Sequence, residues 1–420
     1  MDHKRHAALG FIFVTVMLDM LAFGIAVPTL PKLISDFLGG NTARASEYLG
    51  LFVTTFALMQ FFFSPVLGLI SDRYGRRPVV LLSNFGLAFD YIIMAMAPSL
   101  RWLFLGRVLA GLSASSIATA TAYISDITPP EKRSKAFGLL GAAFGMGFVV
   151  GPAIGGWLGM HGPRLPFWVA GGASLVNALY GFFVLPESLA PKKRQQHPNW
   201  KNANPLGALK LLRSHSELLG LAAVNFLGYL AHEIYMTVWI LYAMYRFSWD
   251  QRMIGISLAV VGITSILCSA VLVGPAVKWM GERRALLTGL FFASLGFAIY
   301  GWAGSTFMFL IAIGVSSLWS LAGPTSQSLM TRRVSASEQG ELQGAIASLR
   351  GIAMIIGPQM FSLTFAYFIA PTHYMPSAPW YLASLLLLIS LVIAWAVAKN
   401  GQKDSGVISS DLATAEAEML

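Results

Sequence analysis

Cysteine is almost missing: Cys268 stands alone among 420 residues, which excludes an internal disulfide and a metal site built from several thiolates. Charge is scarce too, at 11% Asp, Glu, Lys and Arg against roughly 25% in soluble domains. The chain has no Gly-x4-Gly-Lys-Ser/Thr phosphate loop, since Gly281-Glu282-Arg283-Arg284 has the wrong spacing. His232-Glu233 lacks the second histidine of a zinc helix, and no nucleophile stands with its base. These absences disfavour an ATP-driven machine, a resident metal and an enzyme.

What is present is apolar sequence: 56% hydrophobic residues and a mean hydropathy of +0.65. A helix needs about 20 mostly apolar residues to cross a bilayer. Twelve runs meet that need, near 8–30, 47–71, 78–98, 101–126, 136–159 and 166–186, then 217–244, 251–277, 285–303, 305–330, 340–369 and 378–398. The first run is too long for a signal-peptide core and no small-residue cleavage site follows it, so it is expected to remain as the first span. The organisation expected is a six-span half over 1–186, a polar linker over 187–216, a second six-span half over 217–398 and a disordered tail over 399–420.

Of the 29 Lys and Arg, 21 fall on the side that also holds both termini, six fall on the other side and two, Arg107 and Arg350, lie inside spans. By the positive-inside bias both termini are cytoplasmic. The net charge of +10 is spread over short loops instead of one groove, which argues against a nucleic-acid partner. The environment implied is lipid.

The chain also repeats itself. Gly68-Leu-Ile-Ser71-Asp72-Arg73-Tyr-Gly75-Arg76-Arg77 wedges a charged turn between two apolar runs, and adding 206 leads to Gly274-Pro-Ala-Val-Lys278-Trp-Met-Gly281-Glu282-Arg283-Arg284. The same offset carries Gly138 to Gly344 and Gly151-Pro152 to Gly357-Pro358. Two parallel halves in register are the plan of a transporter. In the first turn Gly68 is small enough for close helix packing and Gly75 suits a reversal at positive φ. Asp72 can meet a helix N-terminus, while Arg73, Arg76 and Arg77 can pair with acids such as Asp126. A plain basic loop is the rival reading; the recurrence, with Gly281 and Arg283 in the second copy, favours a conformational gate.

In the fifth span, Gly138, Gly147, Gly151, Pro152, Gly155 and Gly156 have spacings that let two helices approach closely, with Pro152 permitting a bend. Ionisable groups inside spans mark function. Asp19 lies about 16 Å deep and Arg107 about 9 Å deep at 1.5 Å per residue. A carboxylate so placed is costly unless paired, protonated or hydrated, which makes Asp19 a proton site that Arg107 could neutralise in one conformation; a permanent structural ion pair is the alternative. Asp90 and Glu233 are the further proton-coupling candidates. Asn225, Tyr229, Glu233 and Met236 fall on one helical face that should line a cavity, with His232 about 100° away as a second wall or an interhelical partner. Arg350 can counter Glu233 or bind an anionic group.

These residues resemble the major facilitator superfamily. The turn is similar to its Gly-x-Leu-Ser/Ala-Asp-x-x-Gly-Arg-Arg/Lys signature, with Ile70 in place of Leu. Leu18-Asp19 through Gly24, Pro28, Leu30 and Pro31, with Leu105-Gly106-Arg107 and Gly111, resemble the drug/proton antiporter branch with twelve spans, and the fifth-span glycines resemble its antiporter signature. The tetracycline/proton antiporter group looks most similar, through Gln60, Ser125-Asp126-Ile127-Thr128, Gly162-Pro163-Arg164, Pro186-Glu187-Ser188 and Glu338-Gln339-Gly340.

The resemblance implies an all-α membrane fold of two six-helix bundles in a bacterial inner membrane. It implies export of an amphipathic drug against protons, with a latch role for Asp72, Gly75 and Arg76. Thr264 and Ala293 occupy positions where tetracycline exporters typically carry a histidine and an aspartate. The residues call for no cofactor beyond protons, admit a metal only as part of a chelated substrate, and require no second subunit. The rival function is a proton-coupled importer or uniporter of a metabolite.

Overall fold

The computed structural model describes residues 2–194, 204–214, 216–335 and 337–417. Of the expected linker, 195–203 and 215 lie outside the described residues. Among the described residues every regular element is helical, with no strand. Hydrocarbon offers no partner for a backbone N–H or C=O, so a spanning chain satisfies them within its own helices.

The helices are α1 (Gly10–Phe37), α2 (Thr42–Tyr74), α3 (Arg76–Met96), α4 (Leu100–Ile127), α5 (Glu131–Gly159) and α6 (Leu165–Val184). In the second half α7 is Leu218–Phe247, followed by one helical run of 52 residues, Gln251–Trp302. At 1.5 Å per residue that run would extend about 78 Å, far beyond a hydrocarbon core of about 30 Å. Gly281 leaves helical space within it, at φ 79° and ψ 161°, and divides it into α8 (251–280) and α9 (282–302). α10 (Thr306–Thr331), α11 (Gln339–Phe368) and α12 (Ala378–Val397) complete the set. The helical backbone that begins α12 continues to Ala417, beyond the expected end of the last span and into the polar tail, whose final residues are rich in the helix formers Ala, Glu and Leu.

Every third helix is interrupted. α1 turns at 27–29, α4 at 114–115, α7 at Glu233, and α10 passes through a 3-10 stretch at Leu318–Leu321. The offset of 206 takes Val27 to Glu233 and Ala114-Ser115 to Ser320-Leu321, so the interruptions belong to the repeat.

The chain divides into two compact units. One comprises Met1–Gly207, Glu233–Ile266 and Met354–Pro379; the other comprises Ala208–His232, Leu267–Ala353 and Trp380–Leu420. In the first, Phe11, Ile12, Val16, Val80, Tyr123 and Ile124 form a buried core. α5 crosses α1 backbone to backbone: a methyl built at Gly151 would lie 2.7 Å from Gly24 Cα, and one at Gly147 would lie 2.7 Å from Met17 O. Gly155 abuts Ile25 O on the same face. Gly156, one residue on, meets Gly255 of α8, with a built methyl 2.8 Å from its Cα. α2 meets α11 likewise: Ser46 Oγ donates to Ser362 O at 2.9 Å and Thr54 Oγ1 to Ile355 O at 3.0 Å, with Gly50 set against Ser362. Both crossings lie at the ends of α2 and α5 opposite the 72–77 turn. Gly138 and Gly68, by contrast, have no atom of the described residues within 4 Å of a built methyl, so among those residues they do not make the close packing expected of them. In the second unit the rings of Phe297, Tyr300, Phe309 and Trp380 pack together, with Tyr300 centred 4.7 Å from Phe309 and 4.9 Å from Trp380.

Gly151→Ala should therefore lower the unfolding midpoint in detergent, with an overpacking cost of about 1–3 kcal/mol. Gly138→Ala, tested beside it by fluorescence-monitored melting, should leave the midpoint within error. Equal effects would remove the backbone-contact account.

Candidate functional site

The intramembrane charges of the first half, Asp19, Asp90 and Arg107, sort into two assemblies on α1, α3, α4 and α6. Arg107 on α4 pairs with Asp90 on α3, Nη2 to Oδ2, and Asp90 is fully buried. Gly106 makes room: a methyl there would lie 2.7 Å from Asp90 Oδ1. Arg107 also lies over the Phe56 ring, 5.9 Å from its centroid. The arginine expected beside a carboxylate thus has Asp90 as its partner. Asp19, 2% exposed, is held instead by α6, where Asn177 Nδ2 donates to Asp19 Oδ1 at 2.8 Å and to Thr15 O at 3.0 Å. Sequence reasoning missed Asn177. Its signal was an amide inside the apolar run 166–186.

Gln60 on α2 donates to Ala114 O, at the break of α4, at 3.4 Å. Glu233 is buried and stands where α7 leaves regular helix, with Met236 half-buried beyond it. The common face expected for Asn225, Tyr229, Glu233 and Met236 is therefore regular only up to His232. In the second unit Asn225 Nδ2 points to Met330 Sδ at 3.1 Å, and the His232 ring lies 5.8 Å from that of Trp319. The exposed Arg350 guanidinium acts electrostatically on Tyr229 and His232 of the same unit. Thr264 satisfies its hydroxyl on Val260 O at 2.8 Å, and Ala293 is fully buried. Among the described residues no cluster of three metal-ligating side chains occurs.

The charged turn forms a network. Gly75 adopts φ 109°, the left-handed region that its lack of a side chain allows. Arg76, the first residue of α3, bonds Asp126 Oδ2 at 3.0 Å, Ser71 Oγ at 3.2 Å and Asp72 Oδ1 at 2.5 Å. Asp72 thus meets the arginine that begins α3. Arg77 donates to Phe182 O at 2.6 Å. The residue sequence reasoning missed is Glu187: it accepts the N–H groups of Arg76 at 2.8 Å and Arg77 at 3.3 Å, capping α3. The only hint was its place in Pro186-Glu187-Ser188.

The second turn keeps the pairing and inverts it. Offset 206 takes Arg76 to Glu282 and Asp126 to Arg332. Glu282 Oε1 accepts Arg332 Nη2 at 2.8 Å and Ser328 Oγ at 2.7 Å, and Gly281 repeats the positive φ of Gly75 at 79°. Arg283 follows it, half-buried. Each pair holds the start of one helix to the end of the next.

A double-mutant cycle on Arg76 and Asp126 should give a coupling of about 1 kcal/mol, at the upper end for such partly exposed pairs. Glu282→Arg should speed amide exchange across 278–284, and adding Arg332→Glu should return it towards wild type. Additive behaviour in both would mean that the pairs hold nothing.

The family profile of the Major Facilitator Superfamily matches residues 12–358. The tetracycline resistance protein, class C, of Escherichia coli is 37% identical over 394 residues, 92% of this chain and 96% of that protein. The class H protein of Pasteurella multocida is 30% identical, over 91% and 94% of the two chains. Among solved structures, a bacterial homolog of the human lysosomal transporter Spinster superposes with a TM-score of 0.75 at 16% identity, covering 96% of this chain and 98% of that one. With a profile match over most of its length, and relatives that share a third of its residues across nine-tenths of it, this chain belongs to the major facilitator superfamily, a transporter and not an enzyme.

Proposed function

We propose that the chain exports amphipathic small molecules in exchange for protons, with tetracycline-like drugs the first candidates. It acts by alternating access in the inner membrane, as a monomer with both termini cytoplasmic. The observation that carries the reading is Asp19, a carboxylate 2% exposed within a span of a chain whose similar relatives are named tetracycline resistance proteins. A carboxylate in that setting is retained for function, since its burial is costly.

Protonation of Asp19, with Asp90 or Glu233 as further proton sites, competes with a cationic or metal-chelated substrate. Arg107 holds the charge of Asp90. Gln60, at the break of α4, and Asn225, Tyr229, His232, Met236 and Arg350, on and around the break of α7, supply substrate contacts; interrupted helices are where transporters place their sites. Thr264 and Ala293 tune selectivity among such drugs. The latches Arg76–Asp126 and Glu282–Arg332 act at the cytoplasmic face, and the α2–α11 and α5–α8 crossings at the external face.

In everted vesicles, adding tetracycline or another transported drug should drive proton movement, and Asp19→Asn should reduce it at least tenfold. Unchanged exchange in Asp19→Asn would remove Asp19 as the proton site. Uptake of a metabolite driven by an inward proton gradient, with no drug response, would replace export by import.

A further inference from the structure

One group of buried polar side chains has no part in that reading. A methyl at Gly171 of α6 would lie 3.2 Å from Ile92 and 3.4 Å from Tyr91 of α3, and one at Gly181 would lie 3.0 Å from Leu81. These contacts set α3 and α6 antiparallel and in register. The stripe Leu81, Asn84, Ala88 and Tyr91 on α3 faces Gly171, Ser174, Ala178 and Gly181 on α6, each spaced by three or four residues. Asn177 turns from α6 to α1, where it holds Thr15 and Asp19.

Thr15, Ser83, Asn84, Ser174 and Asn177 are all 0% exposed. Yet Thr15 Oγ1, Ser83 Oγ, both amide atoms of Asn84, Ser174 Oγ and Asn177 Oδ1 have no hydrogen-bond partner among the described residues. A buried polar atom left so costs on the order of 1–3 kcal/mol. Apolar side chains at these positions would avoid that cost. Buried polar atoms left so on α1, α3 and α6, with α6 packed against both of the others, mark the lining of a water site, where one water takes about three hydrogen bonds.

We propose that the junction of α1, α3 and α6 binds water and relays protons to and from Asp19 through the interior of the first half. The inference rests on the proton-coupled reading above. In the relay the Asp19 carboxyl O–H gives its proton to the adjoining water, leaving a carboxylate that the Asn177 amide holds. The resulting hydronium donates hydrogen bonds to the carbonyl oxygen of Asn84 and the hydroxyl oxygens of Ser174 and Thr15 and passes its excess proton to a further water bound at the junction, becoming neutral water again; the reverse transfer reloads Asp19. Such a route serves Asp19 without passing through the substrate's contacts.

Two measurements on the full chain test this. A high-resolution structure in lipid nanodiscs should show ordered water within hydrogen-bonding distance of Asn84 and Ser174; side chains turned onto backbone carbonyls around a dry junction would overturn the site. In everted vesicles, Asn84→Leu and Ser174→Ala should each cut proton-driven tetracycline uptake at least tenfold while tetracycline–tetracycline exchange stays within twofold of wild type. Undiminished proton-driven uptake in both variants, or equal loss of both activities in the milder Ser174→Ala, would overturn the relay even if water is seen. A wild type that moves no protons with any drug would end the coupling reading and the relay with it, while the water density would still decide the site.

Discussion

The rest of the structure depends on the absence of water as a hydrogen-bond partner inside a bilayer. Every buried polar group must be met by the protein or by something it binds. For the backbone this leaves helices. For ionised side chains it demands a local partner, and the arrangement around Asp90 shows how far the chain goes: Arg107 reaches across from α4, and its neighbour Gly106 has no side chain because one would strike the carboxylate. Removing Arg107 alone would leave a buried charge uncompensated, which is costlier than never having had the pair.

The internal duplication makes that constraint visible within one chain. Offset 206 pairs Asp19 with Asn225, and its holder Asn177 with Ala383; it pairs Asp90 with Gly296 and Arg107 with Ile313. Wherever the second half lacks the acid, it also lacks the group that holds it. Backbone features behave differently, since the interruptions at 27 and 233 and the positive-φ glycines 75 and 281 recur. The break at 27 and 233 and the positive-φ glycine at 75 and 281 are thus common to the two halves, whereas the held carboxylates Asp19 and Asp90 belong to the first and the buried Glu233 of the second stands where the first has Val27.

That division also explains what could be read from the sequence. Twelve spans, the duplicated turn and positive φ at Gly75 follow from composition, periodicity and residue type, all local properties. The α5 glycines were legible as close packing, but not which partner each would meet: Gly147, Gly151 and Gly155 face α1, Gly156 faces Gly255, and Gly138 has none of the described residues against it at contact distance. Asn177 and Glu187 were not singled out because each matters through a residue more than 100 positions away, Asp19 for one and Arg76 for the other. Ser46 and Ser362, 316 positions apart, left no trace at all. Spacing along a helix reports which residues share a face, and says nothing of what that face meets.

The latch is inverted between the halves. Arg76–Asp126 and Glu282–Arg332 each join residues 50 positions apart, at equivalent places, with opposite polarity. Converting one into the other needs both charges to change, and either single change passes through two like charges at one helix junction. Those pairs are partly exposed, so that intermediate is tolerable in water-bathed loops, where repulsion amounts to about as little as the attraction it replaces. The same exchange inside a span would pass through an unpaired buried charge. Polarity could therefore drift between the halves at the membrane surface while the pairing itself stayed, whereas within the membrane the assemblies of Asp19 and Asp90 are found complete in one half and wholly missing from the equivalent positions of the other.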